Sequence, residues 1–322
     1  MADYINIHYY LDRAMESWQK GDYLEAAVNA YWCIQYCENG EPYGMSKNDL
    51  SKAETEARKI FRSASRKFKK SILSKTTFIY GTICPKLLWL YKNKYNLRSV
   101  SGNTQKKFDA GHNIGNLAQK IFPNGIDASA VDSEHIIDMS RIGLPFNLKQ
   151  QLWINKTKQN YTENTVYEAA FIYDEIFAAV DILVKGDSGH IAYEVKSCRS
   201  ISDVLINDCA LQYYVISNNC KLDDFFLVYI NESYLNEIQI PLEEINENNA
   251  DINRLFIKES VLSRIIPLQD GIKNQVKKLK SVLKGGEPTV KIGEQCSSPY
   301  ECIYTNYCNK SDSSDFDIWM TW

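Results

Sequence analysis

Three charged residues stand at a spacing that can do chemistry: Asp181, Glu194 and Lys196. Two runs rich in β-forming residues, 176–184 and 190–196, flank Gly186-Asp187-Ser188-Gly189, the composition of a hairpin turn. A turn centred between Asp187 and Ser188 sets Asp181 directly opposite Glu194. Opposed residues of an antiparallel pair have Cβ atoms about 4.5–5.5 Å apart, so both carboxylates can reach one divalent cation. Alternation puts Lys196 on the face of Glu194 and turns Val195 toward the core. Two carboxylates set among Phe177, Ala179, Ile182 and Tyr193 repel each other and lose hydration, and a metal ion offsets both costs. The same residues also suit the wet face of a half-exposed hairpin.

A second constellation is made of thiols. Cys84 precedes Pro85, which is well placed in the first turn of an amphipathic helix, and Cys296, Cys302 and Cys308 follow near the other end, five residues between each. Together they compose a four-thiolate site whose soft sulfur ligands suit Zn²⁺ and an iron-sulfur cluster alike. Cys33, Cys37, Cys198, Cys209 and Cys220 read as structural. Nine cysteines in a reducing compartment are ligands and core residues rather than disulfides.

Asp181 followed by Glu194-Val195-Lys196 resembles the PD-(D/E)XK nuclease superfamily, specifically its RecB-like branch. The resemblance implies that Asp181 and Glu194 ligate Mg²⁺ or Mn²⁺, that the Val195 carbonyl adds a ligand, and that Lys196 acts in catalysis. It also implies a metal ligand in His112, within Gly111-His112-Asn113-Ile114-Gly115, and a catalytic role for Gln212. Where the branch commonly has a tyrosine one helical turn beyond that glutamine, this chain has Val215 and Ile216, which leaves Tyr213 or Tyr214 for the place. Ala178-Ala179-Val180 stands where a glycine and a basic residue often precede the aspartate. Iron-sulfur members of the branch, including CRISPR-associated exonucleases and AddB-type repair nucleases, place one cysteine before the nuclease core and three after it, matching Cys84 with Cys296, Cys302 and Cys308. Their usual gaps are two and then five residues, against five and five here. A bacterial subgroup of the branch shares Cys84-Pro85-Lys86 and Pro299-Tyr300-Glu301-Cys302. The implied cluster is [4Fe-4S], with Zn²⁺ as the alternative. The resemblance spans about residues 75–310.

Positioning these groups falls to a chain of 322 residues, 44% hydrophobic and 24% charged, an ordinary globular composition. Residues 1–75 read as a helical region of their own. Ala14, Gly21, Tyr23, Ala26 and Tyr31 fall at the spacing of one tetratricopeptide-like hairpin, and a basic helix over 48–73 turns Ile60, Phe61 and Phe68 inward. The region is either a docking module for a protein partner or the DNA backbone, or a helical cap with a solvated face. A helix over 104–122 carries His112. Another over 203–216, capped by Asp203, carries Asp208 and Gln212 one turn apart, able together to address a phosphate or a water. Glu168 is a further candidate carboxylate or else an exposed strand residue. A buried strand is expected over 225–231 and an acidic loop over 243–251, while 127–164 shows no period. The motif-bearing domain runs over 76–310 and a tail over 311–322. With no run of eighteen apolar residues and no signal-like start, the chain reads as cytoplasmic and free of membrane contact. A net charge of -3 leaves nucleic-acid contact to local basic patches over 58–75, 86–98 and 273–284.

These readings predict an α/β protein: a restriction-endonuclease-like core with a central mixed sheet flanked by helices, plus a small helical N-terminal region. The implied activity is metal-dependent hydrolysis of DNA, as an exonuclease on single-stranded DNA or free ends, in repair or anti-phage defence. Two other readings stay open: a catalytically silent nucleic-acid-binding or assembly subunit that keeps the fold, and a zinc-stabilised enzyme of unrelated chemistry.

Overall fold

A computed structural model of the chain describes residues 2–39, 45–99, 113–130, 146–298 and 301–314. The chain divides into two units, Met1–Ile72 with Val131–Leu152 and Leu73–Ala130 with Trp153–Trp322. In the first, α1 (Ala2–Lys20), α2 (Tyr23–Asn39) and α3 (Lys47–Ser71) form a three-helix array. Gly21, at φ 79°, makes the turn between α1 and α2 in a conformation that disfavours any side chain. Small residues, Ala14, Ala26, Ala30, Ala57 and Ala64, let the helices approach around Ile7, Ile34 and Phe61. Cys33 and Cys37 are buried in this core, and Ile60, Phe61 and Phe68 turn inward as their spacing predicts.

The second unit is built on a seven-stranded mixed sheet with the order β2-β3-β4-β5-β6-β7, to which β1 adds by pairing with β4. The strands are β1 (Leu73–Ser74), β2 (Ile126–Asp127), β3 (Val166–Tyr173), β4 (Ile176–Lys185), β5 (His190–Lys196), β6 (Leu222–Ile230) and β7 (Phe256–Ser260). Strands β3, β4 and β5 are an antiparallel meander, and β5 and β6 are parallel. The main helices after the three-helix array are α4 (Lys75–Ile83), α5 (Pro85–Asn93), α6 (113–119), α7 (Phe146–Asn160, of which the residues from Trp153 on belong to this unit), α8 (Asp203–Ile216), α9 (Glu232–Ile238), α10 (Gln269–Lys284) and α11 (Thr305–Ser314). Helix α8 makes the crossover that a parallel β5–β6 pair requires. One sheet face packs beneath α8 and α10 through Val180, Leu183, Leu211, Val215, Val276 and Leu279. The other packs on Ile114 and Leu117 of α6 and Tyr234 and Leu235 of α9, through Ile182, Val195 and Val228. No described helix is long and apolar enough to cross a membrane.

Several boundaries move from where the pattern placed them. Leu73 and Ser74 already pair with Ile176 and Phe177 of β4, so the first unit ends at Ile72 and Lys75 belongs to the sheet-bearing unit. Helix α8 takes Ser202 as its N-cap and Asp203 as its first residue. Strand β6 begins three residues before the expected start, and α7 and β2 occupy part of the stretch that shows no period. Helix α11 crosses the boundary expected at residue 310.

The hairpin has the predicted register, with Ile182, Leu183, Val184 and Lys185 paired to Tyr193, Ala192, Ile191 and His190. Its turn is closed by Gly186 N–H donating to the Gly189 carbonyl at 2.9 Å. Asp223 clamps it from β6, accepting from the Ser188 and Gly189 backbone amides at 3.1 and 2.7 Å and from Ser188 Oγ at 2.7 Å. A Cβ on Gly189 would stand 2.5 Å from the Lys221 carbonyl oxygen, and backbone cannot yield as a side-chain end can. Gly189→Ala is therefore expected to destabilise the protein by about 1–3 kcal/mol, read as a lower urea midpoint; an unchanged midpoint would show the turn to be dispensable.

Candidate active site and cysteine cavity

Glu168, Asp181 and Glu194 occupy one row across β3, β4 and β5. The pairs Tyr167–Ile182 and Ala169–Val180 leave Glu168 facing Asp181, and the β4–β5 pairing stops one step short of Asp181 and Glu194. At this row both strands lose their strict alternation. Val180 and Leu183, which alternation would put on opposite faces, share one core, as do Ala169 and Val166 across from them. Glu168 takes the strain, with φ 53°, a left-handed conformation that non-glycine residues adopt at a cost and most often where function requires it. Trp153 Nε1–H donates to the Glu168 carbonyl and holds it there. Asp181 Oδ2 accepts the Val195 N–H at 2.6 Å, a carboxylate standing in for a ladder partner.

Helix α8 brings Asp208 and Gln212 over the same row. Glu194, Asp208 and Gln212 are 1%, 4% and 0% exposed. Two ammonium groups grip this buried acid pair: Lys196 Nζ lies 2.5 Å from Glu194 Oε1 and 2.9 Å from Asp208 Oδ2, and Lys75 Nζ lies 2.5 and 3.3 Å from the same two oxygens. Lys75 is the residue the sequence did not yield. It is the first residue of α4, 119 positions from Glu194, and only the folded β1–α4 connection brings it in. Among the described residues, the far oxygens of the pair, Glu194 Oε2 and Asp208 Oδ1, and both amide atoms of Gln212 are buried without a hydrogen-bond partner.

Electrostatics splits the carboxyls. Burial alone would raise Glu194, but Lys196 and Lys75 outweigh it and hold the group down at about 2. Asp181 is raised well above the usual carboxylate range, first by burial and then by the Glu194 charge. Glu168 is raised to about 7 by burial, with Glu194 and Asp127 adding repulsion. Burial would lower both lysines, but Glu194 and Asp208 raise Lys75 and Lys196 above their ordinary value.

No family model, curated protein or solved structure matches this chain. The chemistry of the site thus rests on its own residues. The fold brings Glu168, Asp181, Glu194, Lys196, Asp208 and Gln212 together, with the Val195 side chain on the opposite face as predicted. His112 lies outside the described residues. Tyr214 does not join the cluster: its hydroxyl donates to Asp174 Oδ2 at 3.1 Å, because the α8 position it occupies turns toward the β3–β4 end. Tyr213 packs on the apolar core.

The four cysteines face one cavity, shared by Cys84, Cys296, Cys302 and Cys308 with Leu87, Leu90 and Tyr304. Cys84 ends α4 and caps α5, with Pro85 in the first turn as expected. Burial raises the Cys302 and Cys308 thiols, with the neighbouring sulfurs adding to it and Lys86 opposing at Cys308. Contacts besides sulfur tie the chain before the core to the chain after it. Ser99 N–H donates to the Ile303 carbonyl at 2.8 Å, and Trp89 Nε1–H to the Gly285 carbonyl at 3.0 Å. Lys94 donates to Glu287 at 2.9 Å and to Tyr307 Oη at 2.6 Å. Among the described residues no group of three or more His, Cys, Asp or Glu side chains is arranged as a metal-holding set.

The raised Glu168 carboxyl has a signed consequence. Its folded value, about 7, exceeds the ordinary 4.5, so between these values the folded chain keeps a proton that the unfolded chain has lost, and stability declines as pH rises. Glu194 acts oppositely: its contribution is present above its ordinary value and disappears as pH falls toward about 2. In EDTA, Glu168→Gln should flatten the decline between about pH 4.5 and 7 and leave the acid limb in place. Urea melts across that range test it, and an undiminished decline would contradict the placement of Glu168.

Proposed function

We propose that the sheet-bearing unit is a metal-dependent DNA nuclease with a restriction-endonuclease-like core of the PD-(D/E)XK, RecB-like kind. It acts as an exonuclease on single-stranded DNA or on free ends. The observation that carries this reading is the convergence of Asp181, Glu194, Lys196, Asp208 and Gln212 from two strands and a helix. A buried acid pair that kept its far oxygens unpartnered for structure alone would be costly.

The donor set fits Mg²⁺ or Mn²⁺, since carboxylate oxygens are the ligands these ions prefer, and the orphaned Glu194 Oε2 is such an oxygen. Asp181 and Glu194 would hold the ion, with the Val195 carbonyl and His112 as the further ligands the resemblance implies. When bound, a divalent ion supplies Lewis acidity and neutralises developing phosphate charge. Lys196, held between Glu194 and Asp208, offers a fixed positive charge to a phosphate oxygen. Gln212, with its amide free on both sides, can orient a water.

Helix α10 supports DNA as the polymer. It buries Ile272, Val276 and Leu279 and exposes Lys273, Lys277, Lys278 and Lys284. Among the described residues the ion pairs of this helix are confined to Lys280, so the strip can serve a phosphate backbone. The other two basic stretches are partly neutralised, Arg58 by Glu38 and Glu54, and Lys86 and Lys94 by Glu287. In the first unit, exposed Tyr9 and Trp32 give a protein partner a surface. The four thiols on one cavity suit [4Fe-4S], or Zn²⁺.

Asp181→Asn and Lys196→Ala should each lower cleavage by about 10²-fold or more. Incubation with linear and circular, single- and double-stranded DNA and Mn²⁺ measures this. Intact circles beside shortened linear DNA would mark an exonuclease. Equal activity in all three proteins would end the nuclease assignment, and Mn²⁺ binding with no cleavage would favour the silent assembly subunit.

The cysteine cavity is tested separately, by purification without oxygen. Iron and sulfide in equal amounts, with broad visible absorption, are expected, and Cys302→Ser should lose both. Stoichiometric zinc without iron would replace the cluster with a zinc site.

A further inference from the structure

Lys75 and Lys196 touch the same two oxygens, but they are held differently. Lys196 sits two residues beyond Glu194 on β5 and has little choice of position. Lys75 comes from another element. Its backbone is fixed by the capping box of α4, in which Ser74 and Thr77 exchange hydrogen bonds, so the adjustable part is its long side chain. That side chain is 31% exposed against 20% for Lys196, so it has a path to solvent. It also stands in the first turn of a helix, where the dipole disfavours a cation, and the first turn of α4 contains no acid to compensate. The two carboxylates are thus what holds its ammonium in place.

We propose that Lys75 is a built-in counter-ion that competes with a divalent ion for Glu194, and so sets how tightly the site takes its metal. The inference rests on the metal-site reading above and deepens it. An ammonium 2.5 Å from Glu194 Oε1 and a divalent ion on the same carboxylate repel each other strongly in a water-poor site. Binding of the ion requires Lys75 to turn outward along its exposed side, where it can meet an incoming phosphate. A purely structural lysine would act in the opposite sense: its removal would loosen the carboxylates and weaken binding.

Calorimetric titration of Mn²⁺ into the 322-residue chain distinguishes these directions. Lys75→Gln should bind Mn²⁺ at least tenfold more tightly than wild type, while Lys75→Arg, which keeps the charge, should bind no more tightly. Equal or weaker binding by Lys75→Gln overturns the proposal while leaving the metal site standing. If neither wild type nor Lys75→Gln binds Mn²⁺, the metal-site reading itself fails. A second measurement needs no neutral variant: the ¹⁵Nζ spectrum of wild type, with Lys75 assigned by loss of its signal in Lys75→Arg. A slowly exchanging Lys75 ammonium that becomes fast-exchanging on addition of Mg²⁺ supports displacement, and one that persists at saturating Mg²⁺ refutes it.

Discussion

Four carboxyls crowded into one corner, two of them buried, are the constraint on which the rest of this structure turns. Glu168, Asp181 and Glu194 form a row across three strands, Asp208 descends on it from α8, and among the described residues Lys75 and Lys196 supply the opposing charge. At an effective dielectric near 20, two unit charges about 4 Å apart interact by about 4 kcal/mol, so four ionised groups here could not coexist with two ammoniums alone. The chain answers by splitting them. Glu194 is held ionised by its two lysines, while Asp181 and Glu168 are pushed toward their neutral forms.

The architecture serves that corner. A parallel β5–β6 pair forces a crossover, and the crossover is α8, which is how Asp208 and Gln212 come to lie above Glu194. The antiparallel hairpin puts Asp181 beside Glu194, and the broken alternation at Glu168 and Asp181 lets apolar residues on either side of the row fill both cores while the acids stay together. The left-handed Glu168 is the local cost of that arrangement.

The legible parts of the site were those set by local pattern. The hairpin followed from turn composition and β-forming runs, and its register placed Asp181 beside Glu194. The α8 face followed from helical spacing, and the convergence of four cysteines on one cavity from their grouping along the chain. Two features resisted. Lys75 sits in a basic stretch that reads as the end of a helical region, and nothing nearby marks it; its partner lies 119 residues away, across a crossover. The strained φ of Glu168 breaks the two-residue period that made the strand readable, so the rule that located Asp181 could not show how Glu168 reaches it. Tyr214 failed for a related reason: helical spacing gives a face, but the position of Asp174 on the sheet decides which tyrosine finds a partner.

The two candidate sites share one element. Lys75 is the first residue of α4 and Cys84 its C-cap, so a single helix about 13 Å long runs from the carboxylate cluster to the cysteine cavity. It has little freedom to bend or slide. Its start is fixed by the Ser74–Thr77 box, Phe78 is buried, and at Gly81 a Cβ would come within 2.5 Å of Leu279 on α10. Cys84 then passes directly into α5, which Trp89 and Lys94 anchor to Gly285 and Glu287. The chain therefore places the ammonium facing Glu194 and the first of the four cysteines at opposite ends of one short helix.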